Sequence, residues 1–356
     1  MSNIIENIVN EISYVYDKID LINEKFKINL INRGVSVDSN DTIPTMINKI
    51  DDMPVTKFPV WYIDNLRNSC ISCANLSTTK RESDCSVYKN KIYIFSGHSS
   101  STNTTEVYDP VTNTYELKEP MLTGRSFYVC NAVNENFYLM GGSEYTSTAT
   151  NKNECYNAIT DTWTSKADVP ISSARGSGVA IGNKIYFTGG NGSTSSTSSN
   201  LNPFINNECY NTVTDAWTSE TDMLATRHRH CCVTYNDKLY VIGGCIGSNT
   251  TAVDYIDEYN LVTKTWTIIG AMAIKRHSFV AQVFNNSLYT TGGLSNGEVV
   301  TKYNFLTGEN ETLSTISEEP REGTSAIIDN KFYILGGTYT SGSSTSASKY
   351  NLCYII

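Results

Sequence analysis

The sequence lacks any uninterrupted run of about 18 apolar residues, which is the length that a membrane-spanning helix requires. The segment from Met1 to Leu30 contains neither a basic stretch nor a short apolar stretch, so we expect no signal peptide and synthesis in the cytoplasm. Positive charge is also scarce. The chain contains 27 Lys and Arg residues but 36 Asp and Glu residues, which gives a net charge of -9. This balance argues against general nucleic-acid binding and against attraction to acidic membranes.

Histidine is rare, with only four in the chain: His98, His228, His230 and His277. A copper oxidase needs several imidazoles around one point, so this chemistry is not expected. The best metal candidate is RHRHCC at residues 227–232, where His228, His230 and Cys232 would share one face of a strand. No carboxylate stands beside them, and we therefore predict neither a metal nor another cofactor.

The ten cysteines form only one CxxC pair, Cys70 and Cys73, and no second pair that would complete a metal site. Cys155 and Cys209 hold equivalent places before two repeated tyrosines. Free buried cysteine behaves as a small apolar residue, so we interpret these residues as reduced structural cysteines.

A short strand-forming segment occurs six times; five copies end in a glycine pair, and in the first copy Ser96 replaces one glycine. The copies are KIYIFSG (91–97), NFYLMGG (136–142), KIYFTGG (184–190), KLYVIGG (238–244), SLYTTGG (287–293) and KFYILGG (331–337). The intervals between successive copies are similar along the chain. A period of roughly 40 to 50 residues with strands and glycines is typical of propeller blades.

Each copy has further shared residues. An arginine lies at a similar distance before each pair: Arg81, Arg125, Arg175, Arg227, Arg276 and Arg321. A tyrosine follows each pair: Tyr108, Tyr156, Tyr210, Tyr259, Tyr303 and Tyr350. Further along the same repeats come Tyr115, Trp163, Trp217 and Trp266, whereas the fifth copy has Asn310. The combination resembles the Kelch repeat over about residues 67–356, which implies a mainly β fold, a six-bladed β-propeller.

The sixth copy stops at Ile356, before a fourth strand could form. Counting back from Arg81 by the usual spacing places a candidate strand at about residues 67–74. We predict that this stretch supplies the missing outer strand of the last blade, so that the ring closes without an open edge.

The N-terminus follows a different pattern. Apolar residues occupy alternating spacings of three and four: Ile5, Ile8, Ile12, Val15, Ile19, Ile22 and Phe26. Isoleucine at both core positions of a heptad favours trimers over dimers, so residues 1–33 are predicted to form a parallel trimeric coiled coil. The alternative is a single amphipathic helix packed on another surface.

Residues 34–52 are predicted to contain a short helix capped by Asp41 or Thr42, and residues 53–66 to form a neck. A helix, a Gly-Val turn and the segment DTIPTMINKI resemble, over about residues 15–52, the attachment region of tail-fibre and baseplate proteins of phages that infect Gram-positive bacteria. The resemblance implies attachment to a virion tail or a phage-tail-like bacteriocin.

Some Kelch propellers are enzymes, but the first strand of each repeat here carries almost no carboxylates for acid–base chemistry. We therefore predict a non-enzyme. Variable loops follow the glycine pairs, and the longest insertion spans Asn191 to Phe204. Such loops mark a binding face, to which the six arginines and Tyr339 are also assigned.

Together these patterns predict a homotrimeric receptor-binding tail protein. Its propeller loops would recognise a host surface glycan, an anionic polymer or a surface-layer protein. Two alternatives stay open: an intracellular Kelch scaffold for a protein partner, and a structural tail component that binds nothing. The six arginines could equally brace adjacent loops through hydrogen bonds.

Overall fold

The computed structural model describes residues 70–97, 103–144, 148–193, 203–247, 251–293, 297–316, 320–341 and 344–356. The chain divides into residues 1–66 and a compact unit of Arg67–Ile356, and all described residues belong to the second. The predicted coiled coil, attachment segment and neck lie outside the described residues. Within the described part there is no α-helix, and no helix there could span a membrane.

Six four-stranded antiparallel sheets form the framework of the described residues. The innermost strands are β2 (Cys85–Tyr88), β6 (Val129–Val133), β10 (Ser177–Ile181), β15 (Cys231–Tyr235), β20 (Phe279–Phe284) and β24 (Thr324–Ile328). The second strands are β3 (Lys91–Phe95), β7 (Asn136–Met140), β11 (Lys184–Thr188), β16 (Lys238–Ile242), β21 (Ser287–Gly292) and β25 (Lys331–Leu335). Each innermost strand contacts its counterparts in the two neighbouring sheets, which closes a ring.

The third strands are β4 (Thr105–Asp109), β8 (Asn153–Asn157), β12 (Asn207–Asn211), β18 (Tyr255–Asn260), β22 (Val299–Asn304) and β28 (Asn351–Ile355). The outermost strands are β5 (Thr114–Lys118), β9 (Thr162–Ser165), β13 (Ala216–Ser219), β19 (Thr265–Ala271), β23 (Asn310–Thr315) and β1 (Cys70–Ser72). Two small ribbons pair β14 (Arg227–His228) with β17 (Cys245–Ile246), and β26 (Thr338–Ser341) with β27 (Ser344–Ala347). The predicted six-bladed propeller is confirmed.

The last blade takes its outer strand from the N-terminal side of the propeller. Strand β1 pairs antiparallel with β28, with Cys70 opposite Tyr354 and Ser72 opposite Leu352. The Cys73 N–H continues the contact by donating to the Asn351 carbonyl at 2.8 Å. The predicted closure by residues near 67–74 is confirmed, and it gives blade six four strands like the other blades.

The core lies between the blades rather than within them. Phe95 of blade one packs in one cluster with Tyr128, Phe137 and Tyr156 of blade two. Phe137 and Tyr156 are fully buried. Burial of one such side chain contributes about 2–3 kcal/mol, so each blade is stabilised mainly by its neighbours.

The repeated tryptophans connect each blade to the preceding one. The Trp163 ring centre lies 5.2 Å from that of Tyr156, and the indole N–H donates to the Glu119 carbonyl at 3.0 Å. Blade five departs from the pattern, yet the Asn310 side chain donates to the Ala271 carbonyl at 2.9 Å and so keeps this inter-blade bond.

The glycine pairs are required where blades approach each other closely. At Gly189, φ is +58°, and an added Cβ would lie 2.3 Å from the Arg227 carbonyl oxygen of the next blade. Only glycine fits such a position without shifting the backbone.

Candidate functional site

A closed ring of backbone hydrogen bonds surrounds the propeller axis at one end. It is formed by one residue per blade, which we call the axial ring: Glu82, Phe127, Arg175, Arg229, Ser278 and Glu322. The N–H of each residue donates to the carbonyl of the residue in the preceding blade, over 2.7–3.0 Å. All six have φ between 55° and 58°, which lets the chain turn sharply before each innermost strand.

The axial ring forms the mouth of the central channel. A cavity of about 150 Å³ is lined by the ring residues together with deeper groups such as Tyr128 and His230. A second cavity of about 310 Å³ lies among the innermost strands and shares Asp84, Ser177 and Cys231 with the first. The mouth therefore leads into the channel.

Two carboxyl groups meet where blades six and one adjoin. The Glu82 side chain is only 8% exposed, and the Arg81 Nε lies 3.9 Å from its carboxylate. Burial raises the pKa of Glu82 to about 8, and the neighbouring charge of Glu322 acts in the same direction. Arg81, Arg175 and a hydrogen bond from Ser126 act in the opposite direction. We call Glu82 and Glu322 the acidic pole.

Two guanidinium groups stand in blades three and four. Arg175 is 7% exposed, and its guanidinium lies 4.3 Å from the centre of the Phe127 ring. Burial, followed by the positive charge of Arg229, lowers the pKa of Arg175 to about 10. The Nε of Arg229 is shielded from solvent and has no hydrogen-bond partner among the described residues. We call Arg175 and Arg229 the basic pole.

A third carboxyl group lies below the mouth. The Asp84 side chain accepts hydrogen bonds from the backbone N–H of Cys85 and Cys130, both at 2.8 Å, and from the Thr324 hydroxyl at 3.0 Å. Burial nevertheless raises the pKa of Asp84 to about 6. These bonds tie blades one, two and six together, so Asp84 has a clear structural role.

A family model described as the KLHDC2/KLHL20/DRC7 Kelch-repeats domain matches residues 51–244 and 177–355 of the chain. The protein belongs to the Kelch-repeat family. A solved structure titled "Structure of YjhT" is 16% identical, with a TM-score of 0.64 over 79% of this chain and 96% of that chain. At this identity the likeness shows the fold alone. No curated protein matches the chain. The Kelch propeller suggests a binding or scaffolding role.

The six Kelch-repeat arginines do not form a single group. Arg125, Arg227 and Arg276 are at most 2% exposed and donate to carbonyl oxygens of the same blade, those of Gly141, Gly243 and Gly292. Arg125 also pairs with Glu154, and Arg227 with Asp257. These three brace their blades. Only Arg175 belongs to the axial ring, while Arg81 and Arg321 are partly buried beside it.

The predicted loop residues lie at the base of the loops that follow the glycine pairs. Asn191 is fully buried and bonds through its backbone with Ala174 at 2.8–2.9 Å. The Phe204 N–H donates to the Gly190 carbonyl at 2.8 Å, so this residue too anchors the insertion. The backbone of Tyr339 pairs with Ser346 in the β26–β27 ribbon. The middle of the insertion, residues 194–202, lies outside the described residues.

The loops and the axial ring share one end of the propeller. The segment that leads into each innermost strand pairs with the start of the loop after the glycine pair. Examples are the backbone bonds between Ser126 and Ser143, at 2.8 and 2.9 Å, and from the Thr338 N–H to the Arg321 carbonyl, at 2.7 Å. A ligand at the mouth can therefore also contact the loops.

The expectation about carboxylates holds for the innermost strands but not for the segments before them. Strands β2, β6, β10, β15, β20 and β24 contain no Asp or Glu. Glu82, Asp84 and Glu322 come just before two of these strands. Sequence reasoning missed this group, so the absence of converging carboxylates no longer argues against acid–base chemistry.

The RHRHCC segment does not form one strand face. Arg229 has a φ of 55°, which separates β14 from β15 and breaks the assumed alternation. The His230 Nε2 lies 2.9 Å from the Thr188 hydroxyl, and burial lowers the pKa of His230 to about 3. The described residues contain no group of three or more His, Cys, Asp or Glu that could hold a metal ion.

Proposed function

We propose that this Kelch propeller is a binding protein that recognises a bacterial surface polymer through its axial mouth, as the receptor-binding part of a phage tail or tail-like particle. The observation that carries the binding role is the axial ring. It places two carboxyl and two guanidinium groups around a cavity, at the end of the propeller where the loops also lie. Sites with a few convergent polar groups in a concave surface are typical of ligand binding.

The tail assignment is supported by the sequence of residues 1–52. The heptad from Ile5 to Phe26 favours a trimer, and the following segment resembles phage attachment regions. Three propellers on one stalk would convert weak contacts with a repetitive surface into strong attachment. We further propose that the protein is not an enzyme, in keeping with a binding role for the family.

Binding to susceptible bacteria tests the propeller part of the proposal. We expect Arg229→Gln to reduce binding of the fluorescently labelled protein by about tenfold, because it removes one charged contact. Lys264→Gln is the matched control, since Lys264 forms an ion pair with Glu220 at 2.7 Å on the outer part of blade four. Equal cell binding by both variants would place the receptor site elsewhere.

The longest loop provides a second variant in the same assay. Residues 194–202 can be replaced by a short turn while Asn191 and Phe204 keep their backbone bonds. We expect weaker or redirected cell binding with a nearly unchanged thermal midpoint, because surface loops contribute little to the core. Unchanged cell binding would exclude this loop from the receptor site.

The stalk has its own test. Light scattering of the full-length protein should give about three times the chain mass of 39.4 kDa. Ile12→Asp combined with Ile19→Asp should give a monomer with an intact propeller, because burying two charges in an apolar seam is costly. A monomeric wild type would contradict the trimer.

A further inference from the structure

One position before the innermost strand carries a buried basic side chain in most blades. In blades two, four and five, an arginine at this position donates to the carbonyl of the first glycine of the pair, 16 residues further along the chain. In blade three the residue is Ser173, whose hydroxyl donates to the Gly189 carbonyl at 2.8 Å over the same interval. We call this place the brace position, and its residues from blade one to blade six are Lys80, Arg125, Ser173, Arg227, Arg276 and Pro320.

A carboxylate on the third strand often accompanies the basic side chain. Pairing with the second strand identifies the equivalent residues of the third strands, which we call the carboxylate position: Glu106, Glu154, Glu208, Asp257, Thr301 and Leu352. Buried ion pairs join the two positions in blades one, two and four: Lys80–Glu106, Arg125–Glu154 and Arg227–Asp257. Blade six has a charge at neither position. Of the six blades, only blade three has the carboxylate without a basic residue at the brace position.

Glu208 is therefore a buried carboxylate without a cation beside it. Glu208 is 5% exposed and accepts a hydrogen bond from the Ser219 hydroxyl at 2.9 Å. Burial raises the pKa of Glu208, and the charge of Asp222 acts in the same direction. Only the bond from Ser219 opposes them, so no basic residue compensates for the burial of this carboxylate.

Blade two shows what blade three lacks, because the segment NECYN occurs at the same place in both blades. There the equivalent Glu154 accepts from the Thr123 hydroxyl at 2.7 Å and from the Arg125 guanidinium. Arg125 also donates to the Leu139 carbonyl at 2.7 Å. A serine side chain ends far short of these groups. Blade three thus retains the carboxylate of this arrangement and lacks the positive group that the carboxylate binds.

A second buried polar group lies beside Glu208. Asn206 is 6% exposed, and neither its Oδ1 nor its Nδ2 has a hydrogen-bond partner among the described residues. The Asn206 carbonyl accepts from the Gly189 N–H at 3.1 Å, which continues the ladder between β11 and β12. Because side chains alternate along a strand, Asn206 and Glu208 share one face.

The other blades show what this face contacts at the place equivalent to Asn206. In blade one, Thr104 accepts from the Lys80 ammonium at 2.7 Å. In blade four, the centre of the Tyr255 ring lies 5.8 Å from the Arg227 guanidinium. Repetition of the blade therefore directs the Asn206 amide to the brace position. Buried amide atoms in native proteins nearly always have a partner, so this amide indicates a bound ligand.

We propose that blade three binds a calcium ion between Glu208, Asn206 and Ser173, where blades one, two and four hold a basic side chain. These three side chains offer a carboxylate, an amide oxygen and a hydroxyl. Oxygen ligands suit hard cations, whereas zinc and copper favour nitrogen and sulfur. The site contains no cluster of three acidic, His or Cys side chains, which the described residues lack. Its attraction for a cation depends on Glu208 and on the nearby charge of Asp222.

Burial and ligand type favour calcium over other cations. The three side chains are at most 6% exposed, which favours a small ion over a side chain of a partner protein. Magnesium keeps several of its waters, and a buried place leaves little room for them, whereas calcium accepts irregular sets of oxygen ligands. A site with so few carboxylates should have a dissociation constant of about 10⁻⁴–10⁻³ M, as in extracellular calcium modules.

Scanning calorimetry of the full-length protein, first freed of metal with a chelator, tests the proposal. We expect about 10 mM CaCl₂ to raise the thermal midpoint of the propeller by about 2–5 °C, because the ion binds only the folded state. The dependence of the midpoint on CaCl₂ concentration gives the dissociation constant. MgCl₂ at the same concentration should have a much smaller effect, and NaCl at matched ionic strength controls for screening.

Two variants locate the ion. Glu208→Gln keeps the shape of the side chain and should abolish the rise with CaCl₂ without lowering the midpoint of the metal-free protein. Ser173→Arg supplies the guanidinium that blade two has, so it should raise the metal-free midpoint and remove the response to CaCl₂. Glu311→Gln is the control and should keep the full response, since its side chain is 57% exposed and pairs with Lys302 on the outer strand of blade five.

Four results would overturn the proposal: no rise with CaCl₂, an equal rise with MgCl₂, an undiminished rise in Glu208→Gln, or a lowered metal-free midpoint in Ser173→Arg. The last result would show that protein atoms already fill the brace position of blade three. None of these measurements involves cell binding, so the calcium site can fail while the proposed receptor role stands, and the reverse.

Discussion

Removal of residues 1–75 is expected to lower the thermal midpoint of the propeller by about 10 °C or more. The truncation takes β1 away from β28 and removes the 2.8 Å bonds from Cys73 to Asn351 and from Ala74 to Asn113. Each lost bond costs about 1 kcal/mol, and the newly exposed edge of β28 adds a similar amount for the apolar area uncovered. A loss of about 5 kcal/mol in total corresponds to the stated shift.

Removal of residues 1–66 is the matched control, because it leaves β1 in place. Scanning calorimetry should give this shorter truncation the midpoint of the full-length propeller. The chain that starts at residue 76 should also self-associate through its unpaired edge, which light scattering would detect. Equal midpoints for the two truncations would show that β1 does not stabilise the ring.

Arg227→Met is expected to lower the unfolding free energy by about 3–5 kcal/mol. Arg227 is 2% exposed, and the substitution leaves Asp257, which is 1% exposed, as a buried charge without its partner. It also removes the donor to the Gly243 carbonyl at 2.7 Å. Adding Asp257→Leu should restore most of the lost unfolding free energy. Two apolar side chains of similar volume can be buried without the cost of removing charges from water.

Urea denaturation at neutral pH measures these effects if the slope with denaturant stays constant. Lys264→Met is the control, because Lys264 is 44% exposed and its pair with Glu220 should be worth less than about 1 kcal/mol. A cost for Arg227→Met no larger than that of the control would contradict a bracing role. The bracing role would also be contradicted if the double variant Arg227→Met/Asp257→Leu were no more stable than Arg227→Met alone.

The blades could be predicted because the repeat encodes their packing directly. Blades two to six have glycine where they approach the next blade, as at Gly189, and aromatic residues pack between blades, as at Trp163. These demands recur with the period of the fold. The absence of tryptophan at Asn310 was visible in the sequence, but the bond that Asn310 preserves depends on the position of Ala271 in blade four.

The axial ring could not be predicted in the same way, because its six positions share a backbone conformation and no side-chain chemistry. The spacing could have identified these positions. The interval from each axial-ring residue to the first residue of the pair that ends the second strand, Ser96 or a glycine, is the same in every blade. Arg175 has this interval to Gly189. Arg227 lies two positions further from Gly243, and its buried side chain stabilises its own blade. Grouping all the arginines by their approximate spacing merged these two structural roles.

The closure of blade six by β1 also sets an order of events during synthesis. Strand β1 ends at Ser72 and its partner β28 begins at Asn351, so nearly the whole propeller must be translated before they can pair. At about 5–20 residues per second, β1 waits roughly 15 to 55 s on the ribosome. Blades one to five are built from local hairpins and can form during that interval. Glu322 joins Glu82 only when the ring closes, so an incomplete chain can display the basic pole but not the acidic one.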